Sequence, residues 1–214
     1  SLNISGLVGY WPMDRNTTIN DTSYVVDVSG EGNDGYWNGS EGFNTTGKVN
    51  GAWRFDGVND YINFGDVAKM NAVTEFSIAG WFLQEQLDKT GRIFYRELDG
   101  DSIVSLYTHS GGWMYAVVRD DSGGAVYFDY STAVTAGKWH HVAMAYDGSG
   151  GGDLDKFQLY IDGLNISLIV ESSFPTVAPN LSSIPFLIGG ETIESNMWNG
   201  SIDEVMIFNR SLSP

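Results

Sequence analysis

Two stretches near opposite ends of the chain carry oxygen donors in arrangements suited to a hard cation. The first, Asp27-Val28-Ser29-Gly30-Glu31-Gly32-Asn33-Asp34-Gly35, mixes carboxylates, an amide and a hydroxyl with glycines that leave the backbone free to turn its carbonyls. The second, Gly200-Ser201-Ile202-Asp203-Glu204-Val205-Met206-Ile207-Phe208, alternates apolar and polar residues and so reads as a strand with one covered face. Asp203 is the odd member, because a partly buried carboxylate without a partner is costly. Basic side chains are scarce, 11 against 27 acidic ones, which makes a metal ion a reasonable partner. The expectation is that the first and last strands are neighbours and that a cation pins them together.

Rings offer a second chemistry. Sugar binders combine aromatic surfaces, on which pyranose faces stack, with a few directed polar groups. The densest supply is Tyr107, His109, Trp113, Tyr115, Arg119, Tyr127 and Tyr130, spread over adjacent predicted strands. Trp37 and Trp198 are further ring candidates in loops. Met197-Trp198, flanked by Asn196 and Asn199, is the pair expected to be exposed. The competing reading is that these rings fill the core.

The elements that must position these groups are short runs rich in Val, Ile, Phe, Tyr and Trp, separated by glycine and Asx turns. Residues 6–13 form the first, and 52–55 with 61–64 read as a hairpin across Asp56-Gly57. Residues 76–83 have the profile of a central strand covered on both faces. Residues 93–96 with 103–108, and 113–119 with 125–130, read as two more hairpins. Residues 139–146, 157–161, 166–170, 185–188 and 201–208 complete the set, and 67–73 allows one short helical turn. No apolar pattern keeps a 3.6-residue period for three turns. The expected fold class is therefore all-β: one domain, residues 1–214, built as a two-sheet antiparallel sandwich of jelly-roll type.

Composition narrows the partners. A formal charge of −16 argues against nucleic acid and anionic membranes. It is compatible with divalent cations and with a salt-rich habitat. No apolar run approaches the roughly 20 residues needed to cross a bilayer, so membrane insertion is not expected. No basic-then-apolar leader opens the chain, which reads as a mature segment or a domain of something longer. Cysteine is absent. Asn-x-Ser/Thr triplets begin at Asn3, Asn16, Asn20, Asn38, Asn44, Asn165, Asn180, Asn199 and Asn209, far more than loop composition would place by chance. They point to an exported, N-glycosylated chain at the cell surface.

Eight segments in order, GLVGYWPMD, DVSGEGNDG, FDGVNDYINFG, FSIAGWFL, GKWHHVAMAYDGSGG, FQLYIDG, FLIGG and NGSIDEVMIFNRSLS, resemble LamG-like jelly-roll domains. These belong to the concanavalin A-like group with laminin G modules, pentraxins and legume lectins. The resemblance implies two curved antiparallel sheets, a structural calcium, and an extracellular role in binding or adhesion, with glycans or cell-surface glycoproteins as partners. It implies that Asp203 of the closing strand ligates the ion, with Asp27, Asn33 and Asp14 as further sources and Asp56 and Asp60 as a runner-up site. Calcium takes six to eight hard oxygens in flexible geometry, which such residues can offer.

Related β-glucanases carry a carboxylate triplet on one strand. The nearest match here, Glu97-Leu98-Asp99-Gly100-Asp101, contains a strong turn dipeptide that would splay the acids apart. His140 and His141 have no nucleophile beside them in sequence, and a non-catalytic chain is expected. Two functional readings remain. One is a carbohydrate-binding or adhesive module using Trp198, Trp113, Tyr115, Tyr107, Arg119 and Tyr127. The other is a structural spacer of a glycosylated surface protein or appendage.

Overall fold

The computed structural model describes residues 4–15, 17–19, 22–40, 42–44, 46–120, 123–128, 134–192 and 196–213, with the backbone alone for 17–19, 22, 123–128 and 168. In chain order the strands are β1 (Leu7–Trp11), β2 (Thr17–Ile19), β3 (Thr22–Val25), β4 (Gly35–Asn38), β5 (Gly42–Asn44) and β6 (Ala52–Asp56). Then come β7 (Tyr61–Asn63), β8 (Glu75–Gln84), β9 (Gly91–Asp99), β10 (Ser102–Thr108), β11 (Met114–Asp120) and β12 (Gly123–Phe128). The last are β13 (Trp139–Asp147), β14 (Phe157–Ile161), β15 (Leu164–Asn165), β16 (Leu168–Ser172), β17 (Leu187–Ile188) and β18 (Asn199–Phe208). Helical turns occur at Ala68–Met70, within the predicted 67–73 stretch, and at Asp153–Lys156.

The strands form two antiparallel sheets. An eight-stranded sheet runs β15-β14-β13-β8-β18-β6-β5, with β1 also paired to β18, and a ten-stranded sheet runs β16-β12-β11-β10-β9-β17-β7-β4-β3-β2. The expected pairing of first and last strands is present: Tyr10 faces Met206 and Trp11 faces Val205. Between the sheets lies one core in which Trp11, Trp53, Phe55, Phe76, Phe94, Phe157 and Phe186 are fully buried. Each such side chain contributes roughly 1.5–3 kcal/mol by leaving water.

Two expectations need correction. Along β8, Phe76, Ile78, Phe82 and Gln84 are buried while Ala79, Trp81 and Leu83 are half-buried, so only one face is fully covered. Period-two alternation was hidden because both faces carry apolar residues. Residues 52–55 and 61–64 are not a hairpin either. β6 pairs with β18 and β5, whereas β7 pairs with β4 and β17. The Asp56-Gly57 turn carries the chain from one sheet to the other. The buried Asp60 carboxylate fixes that crossing by accepting from the backbone N–H of Asp56 (2.9 Å) and Ser40 (2.7 Å). The hairpins β9–β10 and β11–β12 form as predicted. Asp99 closes the first of these by accepting from the N–H groups of Asp101 and Ser102.

Candidate functional site

The closing strand positions Asp203 through an irregularity. Register against β8 shifts between Asp203, opposite Trp81, and Met206, opposite Ala79, and Glu204 there has φ of 53°. A bulge re-aims side chains in this way. Asp203 ends fully buried, while Glu204 accepts from the Tyr10 hydroxyl at 2.5 Å. A loop, 46–51, closes over Asp203. Its Oδ2 accepts from the backbone N–H of Lys48 and Val49, each at 2.9 Å. Its Oδ1 has no hydrogen-bond partner among the described residues.

The same loop reaches Asp14, whose Oδ1 accepts from Gly51 N–H (3.2 Å) and whose Oδ2 accepts from Asn50 Nδ2 (3.4 Å). Gly47 must be glycine: a Cβ there would lie 1.8 Å from Gly51 O and 2.9 Å from Asp203 Oδ2. Burial, reinforced by the Glu204 charge, pushes the Asp203 carboxyl up to about 6 against the opposing pull of the loop amides and the Glu204 backbone N–H. Lys48, the cation in this loop, extends its ammonium over the Trp81 ring, 4.1 Å from the centroid. The arrangement is a buried carboxylate satisfied on one oxygen and unsatisfied on the other, with a second carboxylate, Asp14, held by the same loop.

Asp27 and Asn33, the further ligand sources expected beside Asp203, are engaged in hydrogen bonds that brace their own loop. Asp27 Oδ1 accepts from Tyr10 N–H (3.0 Å) and Ser29 N–H (2.8 Å), and Oδ2 from the Ser29 hydroxyl (2.8 Å) and Asn33 N–H (3.0 Å). Asn33 donates its amide to Val8 O, and its carbonyl accepts from Trp11 Nε1. The loop is stitched to β1, and no hydrogen bond joins it to Asp203 or Asp14 among the described residues. Asp56 serves its own turn, its Oδ1 accepting from Val58 and Asn59.

Of the predicted ring cluster, Tyr107, Tyr115, His109 and Trp113 lie together, in a geometry that differs from a stacking platform. On the ten-stranded sheet, Leu106 and Ala116 face the core, so Tyr107 and Tyr115 point outward. Register sets Arg92, Tyr107, Tyr115 and Tyr127 in one transverse row across β9 to β12. The Arg92 guanidinium lies between the Tyr95 ring (4.8 Å) and the Tyr107 ring (4.4 Å). Tyr107 in turn stacks on Tyr115, with centroids 5.3 Å apart and planes at 12°. Tyr107 thus has both faces occupied by protein, and its hydroxyl edge is what it can present.

Arg92 also donates from Nε to Glu191 Oε1 (3.3 Å) and from Nη1 to Ser105 Oγ (3.1 Å), and Asn196 Nδ2 donates to the same Glu191 oxygen. Tyr95 donates to Glu97 at 2.6 Å, and burial followed by this contact holds its hydroxyl above the usual phenol range. Beyond Tyr115 the row continues to His109 and Trp113, which stack at 6.1 Å and 14°. The Tyr127 side chain and all of Tyr130 lie outside the described residues. Arg119 donates to Gly100 O, with its Nε buried.

Arg92, Tyr95 and Glu191 were not singled out from the sequence. Arg92 and Tyr95 share a face only because the β9–β10 register shifts between Leu106 and Tyr107, and a three-residue spacing does not announce that.

Trp198 is a clear correction. It is 1% exposed and Met197 7% exposed, with the Trp198 ring set edge-on to Phe82 at 6.2 Å. The polar neighbours Asn196 and Asn199 suggested a loop, yet β18 begins at Asn199 and Trp198 already points into the core. Trp113, by contrast, is half-buried. Among the sequons, Asn38, Asn165, Asn180 and Asn209 are exposed, and Asn44 and Asn199 are half-buried. Asn3, Asn16 and Asn20 lie outside the described residues.

Solved structures share the fold. Domain 4 of AbnA, a GH43 extracellular arabinanase from Geobacillus stearothermophilus, solved with arabinotriose, superposes with a TM-score of 0.71 at 19% identity. The match covers 98% of this chain and 95% of that one. Trypanosoma rangeli sialidase, in complex with 2,3-difluoro-KDN, gives 0.64 at 17% identity, over 97% of this chain but 31% of the sialidase. A heptameric SAP-like pentraxin from Limulus polyphemus gives 0.53 at 17% identity, over 80% and 76%. No curated protein matches the sequence. The family model Laminin_G_3, concanavalin A-like lectin/glucanases superfamily, matches residues 56–214, which is most of the chain. The expected jelly-roll kinship holds: the chain belongs to the Laminin_G_3 family of the concanavalin A-like lectin/glucanases superfamily.

Proposed function

We propose that this chain is an extracellular, non-catalytic carbohydrate-binding module. Its ligand lies across the outer face of the ten-stranded sheet, and calcium at Asp203 steadies the fold. The observation that carries the reading is the outward row of Tyr95, Arg92, Tyr107 and Tyr115, locked by cation–π contacts, ring stacking and the Glu191 ion pair. A surface already rigid before binding loses little entropy when a ligand arrives. The solved arabinanase domain binds arabinotriose on the same fold, which lends support. Non-catalysis is supported by two carboxylates at the row being committed, Glu97 to Tyr95 and Glu191 to Arg92 and Asn196.

For the ion, the fit lies in the unpartnered, buried Asp203 Oδ1. Asp203 and Asp14 would hold it, with carbonyls of the 46–51 loop, since the described residues contain no cluster of three or more acidic or histidine ligands. Bound there, calcium supplies the positive charge the buried carboxylate lacks and ties the loop to β18.

The spacer reading draws on Asn38, an exposed sequon on the outer face of the same sheet, where its Nδ2 donates to the Tyr61 hydroxyl. β17 and β7 separate its strand from β9, so a glycan there leaves the row open. A glycan array probed with and without a chelator discriminates the two. Binding by wild type that is lost in Tyr107→Ala, with the fold retained, supports the module. Failure to recognise any glycan in calcium would make the chain a spacer.

A further inference from the structure

The charge economy of the ring row narrows its ligand, given the glycan-binding reading above. Both arginines near the row are held by protein contacts. The Arg92 guanidinium has a ring on either face, Nε on Glu191 and Nη1 on Ser105. Arg119 is turned to Gly100 O, and its Nε is buried, with no hydrogen-bond partner among the described residues and out of a ligand's reach. Carboxylates surround them: Glu97 and Glu191 act on Tyr95, and Glu171 acts on Tyr107. Three acids against two arginines leave the row net negative, inside a chain of formal charge −16. What the row does present is hydroxyl: Tyr107 Oη has no hydrogen bond among the described residues and sits between held neighbours.

We infer that the ligand is an uncharged glycan, met by the hydroxyl edge of Tyr107 and its neighbour Tyr115, and that Arg92 is a positioning residue for these rings rather than a receptor for a sugar carboxylate or sulfate. An anionic sugar would have to displace Glu191 from Arg92 and meet the remaining acids, whereas a neutral one needs only hydroxyl partners. Strands lie about 4.8 Å apart, so Tyr107 and Tyr115 offer successive contacts to an extended chain.

The test is binding of matched glycan pairs, one neutral and one carrying uronate, sulfate or sialate, to wild type, Tyr107→Phe, Arg92→Lys and Arg92→Gln. Wild type should prefer the neutral member, with affinity changing less than about twofold between low and high salt, because no ion pair forms. Tyr107→Phe should lose about fivefold, the worth of one hydrogen bond. Arg92→Lys keeps the charge but not the planar sandwich. It should weaken neutral-glycan binding and alter the tyrosine near-ultraviolet dichroism, with the melting temperature close to wild type. Preference for the anionic member with steep salt dependence, lost in Arg92→Gln, would overturn this inference and leave the glycan reading standing. Neutral binding indifferent to Tyr107→Phe would overturn the placement. No binding to either member would sink the glycan reading itself.

Discussion

Asp27 and Asp203 are both buried aspartates near the paired first and last strands, and they are in opposite states. Asp27 receives four hydrogen bonds, two on each oxygen. Asp203 receives two from loop amides on one oxygen and none on the other. A buried carboxylate with every acceptor filled is a finished structural element, while one with an orphaned oxygen holds an unmet demand for positive charge. Richness in oxygen donors therefore does not distinguish a cation site from a turn. The distinguishing feature is whether the protein has already used them.

The largest effect should come from Asp27. Asp27→Ala leaves the Tyr10 and Asn33 amides without their acceptor and frees the loop from β1, at a cost of about 3–5 kcal/mol. Urea unfolding should show the same loss in calcium and in chelator. A loss present only in calcium would make Asp27 part of an ion site and erase the contrast.

Asp203 should respond to the ion instead. Calcium at a hundredfold excess over its Kd should add about 2.7 kcal/mol, and chelation should remove it. Asp203→Asn should abolish the difference. In chelator it should be at least as stable as wild type at pH 7, because it removes a buried, half-satisfied charge. An Asn variant that still gains from calcium would refute the assignment.

The pH dependence without metal follows from the carboxyl being pushed up to about 6, above its ordinary 3.8. The folded state then binds the proton more tightly than the unfolded chain, so this group's contribution is present in full below about 4 and is lost as pH rises through about 6. That amounts to about 2 kcal/mol once partial relaxation is allowed for. In chelator, wild type minus Asp203→Asn should fall across that window. In saturating calcium the ion holds the carboxylate ionised, and the difference should rise with pH. Equal slopes in both conditions would mean that no ion reaches Asp203.

Much of this was legible beforehand. Asp203 stood out in the alternation of 200–208, as an acid where an apolar residue belonged, and the expected neighbouring of the first and last strands is present as the β1–β18 pairing. The placing of Tyr107 and Tyr115 on adjacent strands was legible from the spacing of the apolar runs, whereas their direct pairing depends on the β10–β11 connection, which neither of the two plain hairpin turns specifies. Trp198 was misjudged because polarity of flanking residues is a local signal, while burial depends on where a strand begins. The 46–51 loop was missed because Gly47-Lys48-Val49-Asn50-Gly51 resembles any surface turn, and only its packing against a residue some 155 positions away gives it a role. The Asp56-Gly57 turn was misread for a related reason: the dipeptide specifies a bend, but buried Asp60 decides which sheet the chain enters.

Asp14 should give the smallest effect and the finest test of the contrast. Its contacts to the loop are long, 3.2 and 3.4 Å, and it is half-buried, so Asp14→Asn in chelator should cost less than about 1 kcal/mol. In calcium the expectation differs. If Asp14 is the second carboxylate of the site, removing its charge should weaken the ion about tenfold. That would appear as a 1.4 kcal/mol smaller stabilisation at a fixed calcium concentration. A calcium titration monitored by melting temperature separates the two contributions, since the plateau reports folding and the midpoint reports affinity. A shifted midpoint with an unchanged plateau would place Asp14 with Asp203. An unchanged midpoint would return Asp14 to the class of Asp27, as a residue that shapes the 46–51 loop, and leave Asp203 with carbonyls alone.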